Sequence, residues 1–94
     1  MRFEWDEIKN RENIQKHKVP FEEAASIFLN EIIEEPDLEH SDEEDRYKAV
    51  GISVCLRELL VVYCIRVKID DEKVIRIISA RKANANERRR YYER

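Results

Sequence analysis

Apolar and polar residues alternate from Met1 to Trp5, and this period-two pattern predicts a short, half-buried β-strand at the start of the chain. Asp6 is placed to cap a helix that runs from Glu7 to about Lys16. The apolar positions of this segment are sparse, with Ile8 and Ile14 the clearest. The helix is therefore expected to lie on the surface and to bury only a narrow stripe.

The clearest amphipathic pattern runs from Pro20 to Leu29. Proline suits the first position of a helix, because the N–H that it lacks would have no helical partner there. Four apolar side chains recur at i, i+3, i+4 and i+7 and predict a stripe that packs on one face of a sheet. They are Phe21, Ala24, Ala25 and Phe28.

An acidic block occupies the middle of the chain, from Glu31 to Asp45, and holds nine carboxylates and no Lys or Arg. Within this block, Ile32 and Ile33 predict a short edge strand, which Pro36 ends. The remainder of the block is expected to be an exposed loop.

The second half of the sequence predicts three sequential strands, which form an antiparallel meander. Arg46 to Leu56 and Leu59 to Val67 are expected to be joined by a tight turn at Arg57 and Glu58. The third strand, Val74 to Ala83, is expected to be the central strand of the sheet, because four of its first five residues are β-branched and aliphatic.

These elements predict an α+β fold: β-α-α, then the antiparallel meander, then a C-terminal helix that Asn84 or Asn86 can cap. Gly51 is the only glycine and lies inside a strand, where it indicates a bulge or a close approach to the backbone. A chain of 94 residues is expected to form a single domain, residues 1–94, with a small core. No apolar run reaches the roughly 18 residues of a membrane span and no signal peptide precedes Trp5, so a cytoplasmic protein is expected.

Cys55 and Cys64 fall in strand-like segments and have no CxxC or CxxH neighbour. They are expected to be small, reduced core residues rather than a disulfide or metal site. No cofactor and no metal is predicted.

Charge is distributed unevenly along the chain. Residues 1–45 hold five Lys or Arg and 15 Asp or Glu, a net charge of −10, whereas residues 46–94 hold 13 and six, a net charge of +7. One interpretation is a cationic face, built by the second half, that meets phosphates. The other is that the two halves attract each other within the folded domain.

The register of the last hairpin decides where its arginines point. A three-residue loop would place Arg66 opposite Arg76, whereas a loop of two or four residues would place Arg66 opposite Ile77, on the same face as Ser79 and Arg81. The sequence does not distinguish these registers. In either one, at least two guanidinium groups project from the sheet, and their planar forks match the oxygens of a phosphodiester.

Further candidate groups lie at the ends of predicted elements. Lys16 and His17 end the first helix, where the helix dipole favours cations and a structural role is the alternative. His40 lies just before the strand that begins at Arg46. After Arg81, cations alternate with Tyr91 and Tyr92, a composition suited to single-stranded nucleic acid, although a tyrosine packed on the sheet is also expected.

Several motifs occur together and in order: F-x-W-D, K-H before a helix containing F-E-E-A, H-S-x-x-E-x-R, and R-I-I-S-A-R-x-A followed by E-R-x-x-Y. From Phe3 to Tyr91 the chain resembles the BrnT family of ribonuclease toxins of bacterial type II toxin–antitoxin systems. Two positions depart from the family pattern: Lys18 stands where a small residue such as Gly is usual, and Pro20 stands where a Ser-like cap is usual.

This resemblance implies a RelE-like fold and an endoribonuclease that arrests translation and growth. It also implies a BrnA-type antitoxin whose ribbon-helix-helix domain binds the promoter, so that operator DNA is contacted only through the antitoxin. The RNA substrate would be free or bound to the ribosome, and no membrane is involved. Two other classes stay open: a binding poison on the same RelE/ParE-like fold that does not cut RNA, and an inactive interaction module.

Metal-independent RNA cleavage needs a base for the 2′-hydroxyl, cations for the charge on phosphorus, and an acid for the leaving 5′-oxygen. Matching the chain to the family assigns candidates to each role. They are Arg46, Arg66 and Arg81 as phosphate clamps, His17 or His40 as base or acid, Lys16 and Tyr91 as supporting donors, and Glu44 as the residue that orients Arg46.

Overall fold

The structure, a computed structural model, describes residues 1–40 and 45–94 and confirms the α+β class. The elements in chain order are β1 (Arg2–Glu4), α1 (Glu7–His17), α2 (Phe21–Ala25), a 3-10 turn (Ser26–Leu29), β2 (Ile32–Pro36), a second 3-10 turn (Leu38–His40), β3 (Arg46–Ile52), β4 (Glu58–Val67), β5 (Lys73–Lys82) and α3 (Ala85–Tyr92).

The five strands form one sheet in the order β1-β5-β4-β3-β2. The meander β3-β4-β5 is antiparallel and β2 lies at the edge, both as expected. The central strand, however, is β4, so the assignment of Val74 to Ala83 to that place was wrong. The N-terminal strand β1 pairs in parallel with only three residues of β5, Val74 to Arg76, so β5 lies second from the edge, and β4 lies at the centre with β3 and β2 on its other side.

Beyond Arg76 the outer edge of β5 has no strand beside it in the described part of the sheet, and α1 lies there instead. Asn13 is the residue that joins them: its amide nitrogen donates to the backbone oxygen of Ala80 at 2.9 Å, and its oxygen accepts from the Ala80 N–H at 3.2 Å. The side chain thus takes the place of a missing strand. The expected apolar stripe of α1 was wrong, since Ile8 and Ile14 are 67% and 37% exposed while Asn13 is buried.

The main core lies between the sheet and the helical layer formed by α1, α2 and the turn that follows. Its apolar side chains include Val19, Phe21, Ala24, Ile27, Ala49, Leu59, Val61, Tyr63, Ile75, Ile77 and Ala80. Gly51 is needed here because a Cβ at this position would lie 3.0 Å from both Ile27 and Ile32, which confirms the expected close approach. A smaller cluster lies under α3 on the opposite face: Val50, Leu60, Ala83 and Tyr91.

The β3–β4 connection is a five-residue loop, Ser53 to Arg57, rather than the two-residue turn expected from the sequence. Cys55 lies in this loop and is exposed, so its assignment to the core was wrong, whereas Cys64 in β4 is buried as expected. Leu56 has φ 61°, a left-handed conformation that costs a residue other than glycine about 1–2 kcal/mol.

The loop is held against α2 by buried polar groups. Ser53 donates to one oxygen of Glu23 at 2.7 Å, and Arg57 donates to both oxygens, at 2.8 and 2.5 Å. The hydrogen bonds from Arg57, the largest influence, together with that from Ser53 and the charge of Arg57, lower the pKa of Glu23 against the opposing effect of burial. Arg57 also donates to the backbone oxygen of Lys18 at 2.9 Å, which joins the end of α1 to the same network.

Both departures from the family pattern fall on caps. Lys18 ends α1 with φ 61°, the conformation in which glycine is favoured, and Pro20 caps α2 without a side-chain hydrogen bond. Asn84 caps α3, and Glu87 completes a reciprocal capping box, which settles the choice between Asn84 and Asn86.

Candidate active site

One face of the sheet is covered by the helical layer, and α3 covers only part of the other. Residues that pair across strands share a face, so the register shows which side chains lie together on the open part. Arg46 pairs with Cys64, and Cys64 pairs with Arg76, which places two arginines on one row across three neighbouring strands. Arg66 lies two residues beyond Cys64 and therefore points to the same side.

These three residues, Arg46, Arg66 and Arg76, are called the arginine face below. Two strand spacings separate the Cα atoms of Arg46 and Arg76, about 10 Å, and Arg66 is a diagonal neighbour of each at about 7–8 Å. Arg66 is exposed, and the other two are half-buried. Long side chains at these separations can converge on one phosphate.

Arg76 is held by Glu4 of β1. Its guanidinium donates to Glu4 at 2.8 Å, and Lys68 lies 2.9 Å from the other oxygen of the same carboxylate. Hydrogen bonds from Lys68 and Arg76 lower the pKa of Glu4. Two cations thus share one carboxylate, which leaves a net positive charge at this edge of the arginine face.

The register of the β4–β5 hairpin differs from both expected registers. Five residues, Lys68 to Glu72, separate the strands, and Arg66 lies opposite Val74 rather than Arg76 or Ile77. A bulge also interrupts the pairing at Val62 and Tyr63.

Arg81 points to the same face as Arg66 but lies far from it. Arg81 lies five positions beyond Arg76 in β5, about 16 Å along the strand. Its guanidinium forms a bidentate pair with Glu87 of α3, at 2.8 and 2.9 Å. Burial acts to raise the pKa of Glu87, but hydrogen bonds from Arg81 and the Asn84 backbone, together with nearby cations, outweigh it and lower that pKa. Arg81 thus anchors the start of α3.

Lys16 and His17 lie at the free edge of β5. They line an open groove of about 200 Å³ together with Asn13, Ile78 and Ser79. Ser79 pairs with Val62 and so lies one row from Arg76 and Cys64 on the open face. The groove of His17 therefore borders the face that carries the arginines.

His40 ends the turn Leu38–His40 in the β2–β3 connection. The backbone N–H of Asp37 donates to the oxygen of Arg46 at 2.8 Å, so this connection leaves the sheet at the Arg46 end of β3. Glu44, the expected partner of Arg46, lies outside the described residues.

Tyr91 belongs to the small core under α3 and is 3% exposed. Its hydroxyl donates to the backbone oxygen of Glu31 at 2.8 Å, which ties α3 to the start of β2. Tyr92 is 58% exposed, so one tyrosine of the pair packs on the sheet, as expected.

Arg76 was not among the residues assigned to the site from the sequence. The feature that could have identified it is the position of a cation between two apolar residues of β5, Ile75 and Ile77, both of which are buried. Alternation alone placed Arg76 on the face opposite Ile75 and Ile77, but only the β3–β4–β5 register shows Arg46 on the same row.

Comparison with known proteins defines the class to which this fold and face belong. The crystal structure of the Brucella abortus ribonuclease toxin BrnT, at 1.1 Å resolution, has a similar fold: the TM-score is 0.60 at 23% identity, over 89% of this chain and 97% of that one. A search of curated proteins gave no match. A family model described as the ribonuclease toxin BrnT of type II toxin–antitoxin systems matches residues 5–87. The chain therefore belongs to the BrnT family of type II toxins, which confirms the resemblance found in the sequence.

Membership of this family identifies the protein as a ribonuclease toxin with RNA as its substrate and an antitoxin as its partner. None of the helices in the described part of the chain has the length and apolar composition that crossing a bilayer requires. Among residues 1–40 and 45–94, no three His, Cys, Asp or Glu side chains are grouped so that they could hold a metal ion.

Proposed function

We propose that this toxin is a metal-independent endoribonuclease that cleaves RNA by attack of a 2′-hydroxyl on the adjacent phosphodiester. The observation that carries the proposal is the arginine face, where guanidinium groups from three neighbouring strands share one open surface. Such groups on a rigid sheet stabilise the charge that develops on phosphorus without rearranging during the reaction.

The reaction needs two proton transfers. A base removes the 2′-hydroxyl proton as the 2′-oxygen bonds to phosphorus, and an acid protonates the 5′-oxygen as the P–O5′ bond breaks. The products are a 2′,3′-cyclic phosphate and a 5′-hydroxyl. His17, beside Ser79, and His40, in the connection that leads to Arg46, are the candidates for these roles.

The other candidates support these steps. Arg46 and Arg66 bind the reacting phosphate together with Arg76. Lys16 donates from the His17 groove, and Glu44 orients Arg46.

Arg81 and Tyr91 lie further from the reacting phosphate in this proposal. Arg81 binds a neighbouring phosphate of the same strand, with a guanidinium that Glu87 holds in place. Tyr91 supports the site as a donor by fixing α3 through its bond to Glu31.

RNA cleavage of this kind arrests translation and growth, and a BrnA-type antitoxin neutralises it. The antitoxin's ribbon-helix-helix domain would bind operator DNA, which the toxin itself does not contact. These expectations rest on the family that the chain belongs to.

Cleavage of a defined RNA by the purified protein in EDTA tests the mechanism. We expect 2′,3′-cyclic phosphate ends, and no product from an RNA whose 2′-hydroxyl at the cleaved position is replaced by hydrogen. Arg66→Ala should lower the rate about 100-fold or more, as loss of one transition-state donor commonly does. Arg11→Ala removes an exposed cation from α1 as the matched control and should keep the wild-type rate.

Two results would reject this proposal. Cleavage of the 2′-deoxy substrate would exclude 2′-hydroxyl attack. Growth arrest without new RNA ends, mapped by primer extension on total RNA after induction, would favour a binding poison on the same fold. Comparing His17→Ala with His40→Ala then shows which histidine takes part in proton transfer, since loss of a general acid or base should cost about 10²- to 10⁴-fold.

A further inference from the structure

The loop between β3 and β4 presents apolar side chains to solvent from a rigid base. Val54 and Leu56 are 70% and 84% exposed, although their neighbour Ser53 is 1% exposed. Ser53 and Arg57 are fixed by the carboxylate of Glu23, and the Val54 N–H donates to the Ser26 hydroxyl at 2.8 Å. With the bonds from Arg57 to the second Glu23 oxygen and to the Lys18 backbone oxygen, five hydrogen bonds leave the loop little freedom.

The loop also uses a residue that its backbone does not favour. Leu56 has φ 61°, where Gly or Asn is the ordinary choice in a turn. The Leu56 side chain is 84% exposed, so its burial does not offset the cost of this backbone conformation. An apolar side chain held in this way is typical of a surface that binds another protein, since a preformed loop loses little entropy on association.

Cations surround these apolar groups. Leu56 lines a groove of about 250 Å³ with Lys82 and Arg88, both exposed, at the start of α3. Glu58 also lines this groove, but its carboxylate accepts a 2.7 Å hydrogen bond from the hydroxyl of Tyr92, itself 58% exposed. The surface is therefore apolar at its centre and positive at its rim.

We propose that this surface, the hairpin-end surface of Val54, Leu56, Tyr92, Lys82 and Arg88, is where the antitoxin docks through an amphipathic segment with acidic side chains. The choice of occupant follows from charge complementarity with Lys82 and Arg88 and from the antitoxin partner that the family implies. The proposal rests on the toxin function, and it places the antitoxin at the end of the sheet away from Arg66.

The hairpin-end surface lies far from the arginine face along β4. Ile52 and Glu58, which flank the loop, pair at one end of β4, whereas Arg66 is eight residues further along the strand, about 26 Å away. An antitoxin anchored at the hairpin-end surface lies beside Arg81 but reaches the arginine face, Arg46, Arg66 and Arg76, only with a second segment. Binding and inhibition of cleavage are therefore separable.

The test measures binding of the polypeptide encoded beside this gene to purified toxin variants by calorimetry. Val54→Asp with Leu56→Asp should weaken binding about 100-fold or more, as loss of central apolar contacts does in other interfaces. Val67→Asp with Ile69→Asp is the matched control at the opposite end of β4, where these side chains are 62% and 107% exposed, and should stay within about threefold of wild type.

Two further variants separate binding from folding and test the charge of the surface. Leu56→Asn suits the left-handed backbone, so it should leave the melting temperature unchanged or raised while still weakening binding. Lys82→Glu with Arg88→Glu should weaken binding most at low salt.

Unchanged binding by the Val54 and Leu56 variant, or equal loss in the Val67 and Ile69 control, would overturn the proposal. Absence of any binding to wild type would also overturn it. Cleavage of RNA by wild-type toxin alone is measured in parallel, so failure of the docking surface and failure of the nuclease function give different results.

Discussion

Asn13 is the residue on which the position of α1 against β5 depends most directly. Its amide donates to the backbone oxygens of Val19 at 2.8 Å and Ala80 at 2.9 Å and accepts from the Ala80 N–H at 3.2 Å. Val19 and Ala80 are 0% and 1% exposed. Replacing Asn13 with Ala therefore leaves three buried backbone groups without their partner.

Each buried group that loses its partner costs about 1–3 kcal/mol, and some relaxation is expected at the sheet edge. We expect Asn13→Ala to lower the free energy of unfolding by about 3–4 kcal/mol in total. That is a large share of the roughly 5–14 kcal/mol expected for a chain of this size. The melting temperature should fall by about 12 °C or more.

Urea denaturation, followed by circular dichroism and by the fluorescence of the single tryptophan, Trp5, measures this change. Asn10→Ala is the matched control on the same helix, because the Asn10 side chain accepts only one buried backbone bond, from Phe21 at 2.9 Å. Its expected cost is about 1–1.5 kcal/mol. Equal losses in the two variants, or a loss below about 1 kcal/mol for Asn13→Ala, would refute the reasoning.

Three other substitutions test separate features of the fold. Hydrogen bonds, chiefly from Arg57, lower the pKa of Glu23 in the folded protein. The ionised Glu23 side chain therefore stabilises the fold fully above its ordinary pKa of 4.5, and this stabilisation is lost as the pH falls below that value. Glu23→Gln should be less stable at neutral pH and should lose this acid dependence in urea titrations. Lys18→Gly should raise the free energy of unfolding by about 1 kcal/mol, because Lys18 has φ 61°, and a decrease would contradict a strained cap. The Tyr63 hydroxyl is buried without a partner among the described residues, so Tyr63→Phe should be neutral or stabilising by calorimetry, and a loss of more than about 1 kcal/mol would contradict this.

Local signals in the sequence were sufficient for elements whose ends are set by nearby residues. The bounds of α1 follow from the Asp6 cap and the cations at its end, and α3 begins at Asn84, one of the two caps expected, through a capping box contained within four residues. The class of the fold and the meander followed in the same way. In each case the deciding interaction joins residues close in sequence.

The central strand was assigned wrongly because composition does not report strand order: β4 is central because β3 and β2 lie on one side of it and β5 and β1 on the other. Phe3 of β1 pairs with Ile75, which is 72 residues away, and three residues of alternation carry little information about such a partner. The prediction of an apolar stripe on α1 was wrong for a related reason. Asn13 is buried because Ala80, at the edge of β5, needs hydrogen-bond partners, and helical periodicity does not report that need.

The sequence predicted which residue types form the candidate site but not how they are arranged. Arg66 shares a face with Arg46, but the five-residue loop from Lys68 to Glu72 gave a register that neither expected loop length would produce. Asp71 takes φ 64° in that loop, although no glycine marks the position. Arg81 has the expected face, yet its pairing with Glu87 depends on where α3 lies.

The uneven charge along the chain is the sequence feature whose interpretation the structure changes most. At least six ion pairs join cations of residues 46–94 to carboxylates of residues 1–45, so attraction between the halves accounts for much of the pattern. These pairs are Lys48–Glu35, Arg57–Glu23, Lys68–Glu4, Arg76–Glu4, Arg90–Glu35 and Arg94–Glu31.

Net charge therefore does not locate the candidate RNA-binding face. Most of the six pairs are partly exposed and contribute little individually, whereas the bidentate Glu23–Arg57 pair is largely buried and fixes a loop. What distinguishes the arginine face is register, because Arg46 and Arg76 flank the same residue, Cys64, on adjacent strands. A change that shifts this register by one residue would turn one arginine to the covered face and should abolish RNA cleavage without altering the charge of the protein.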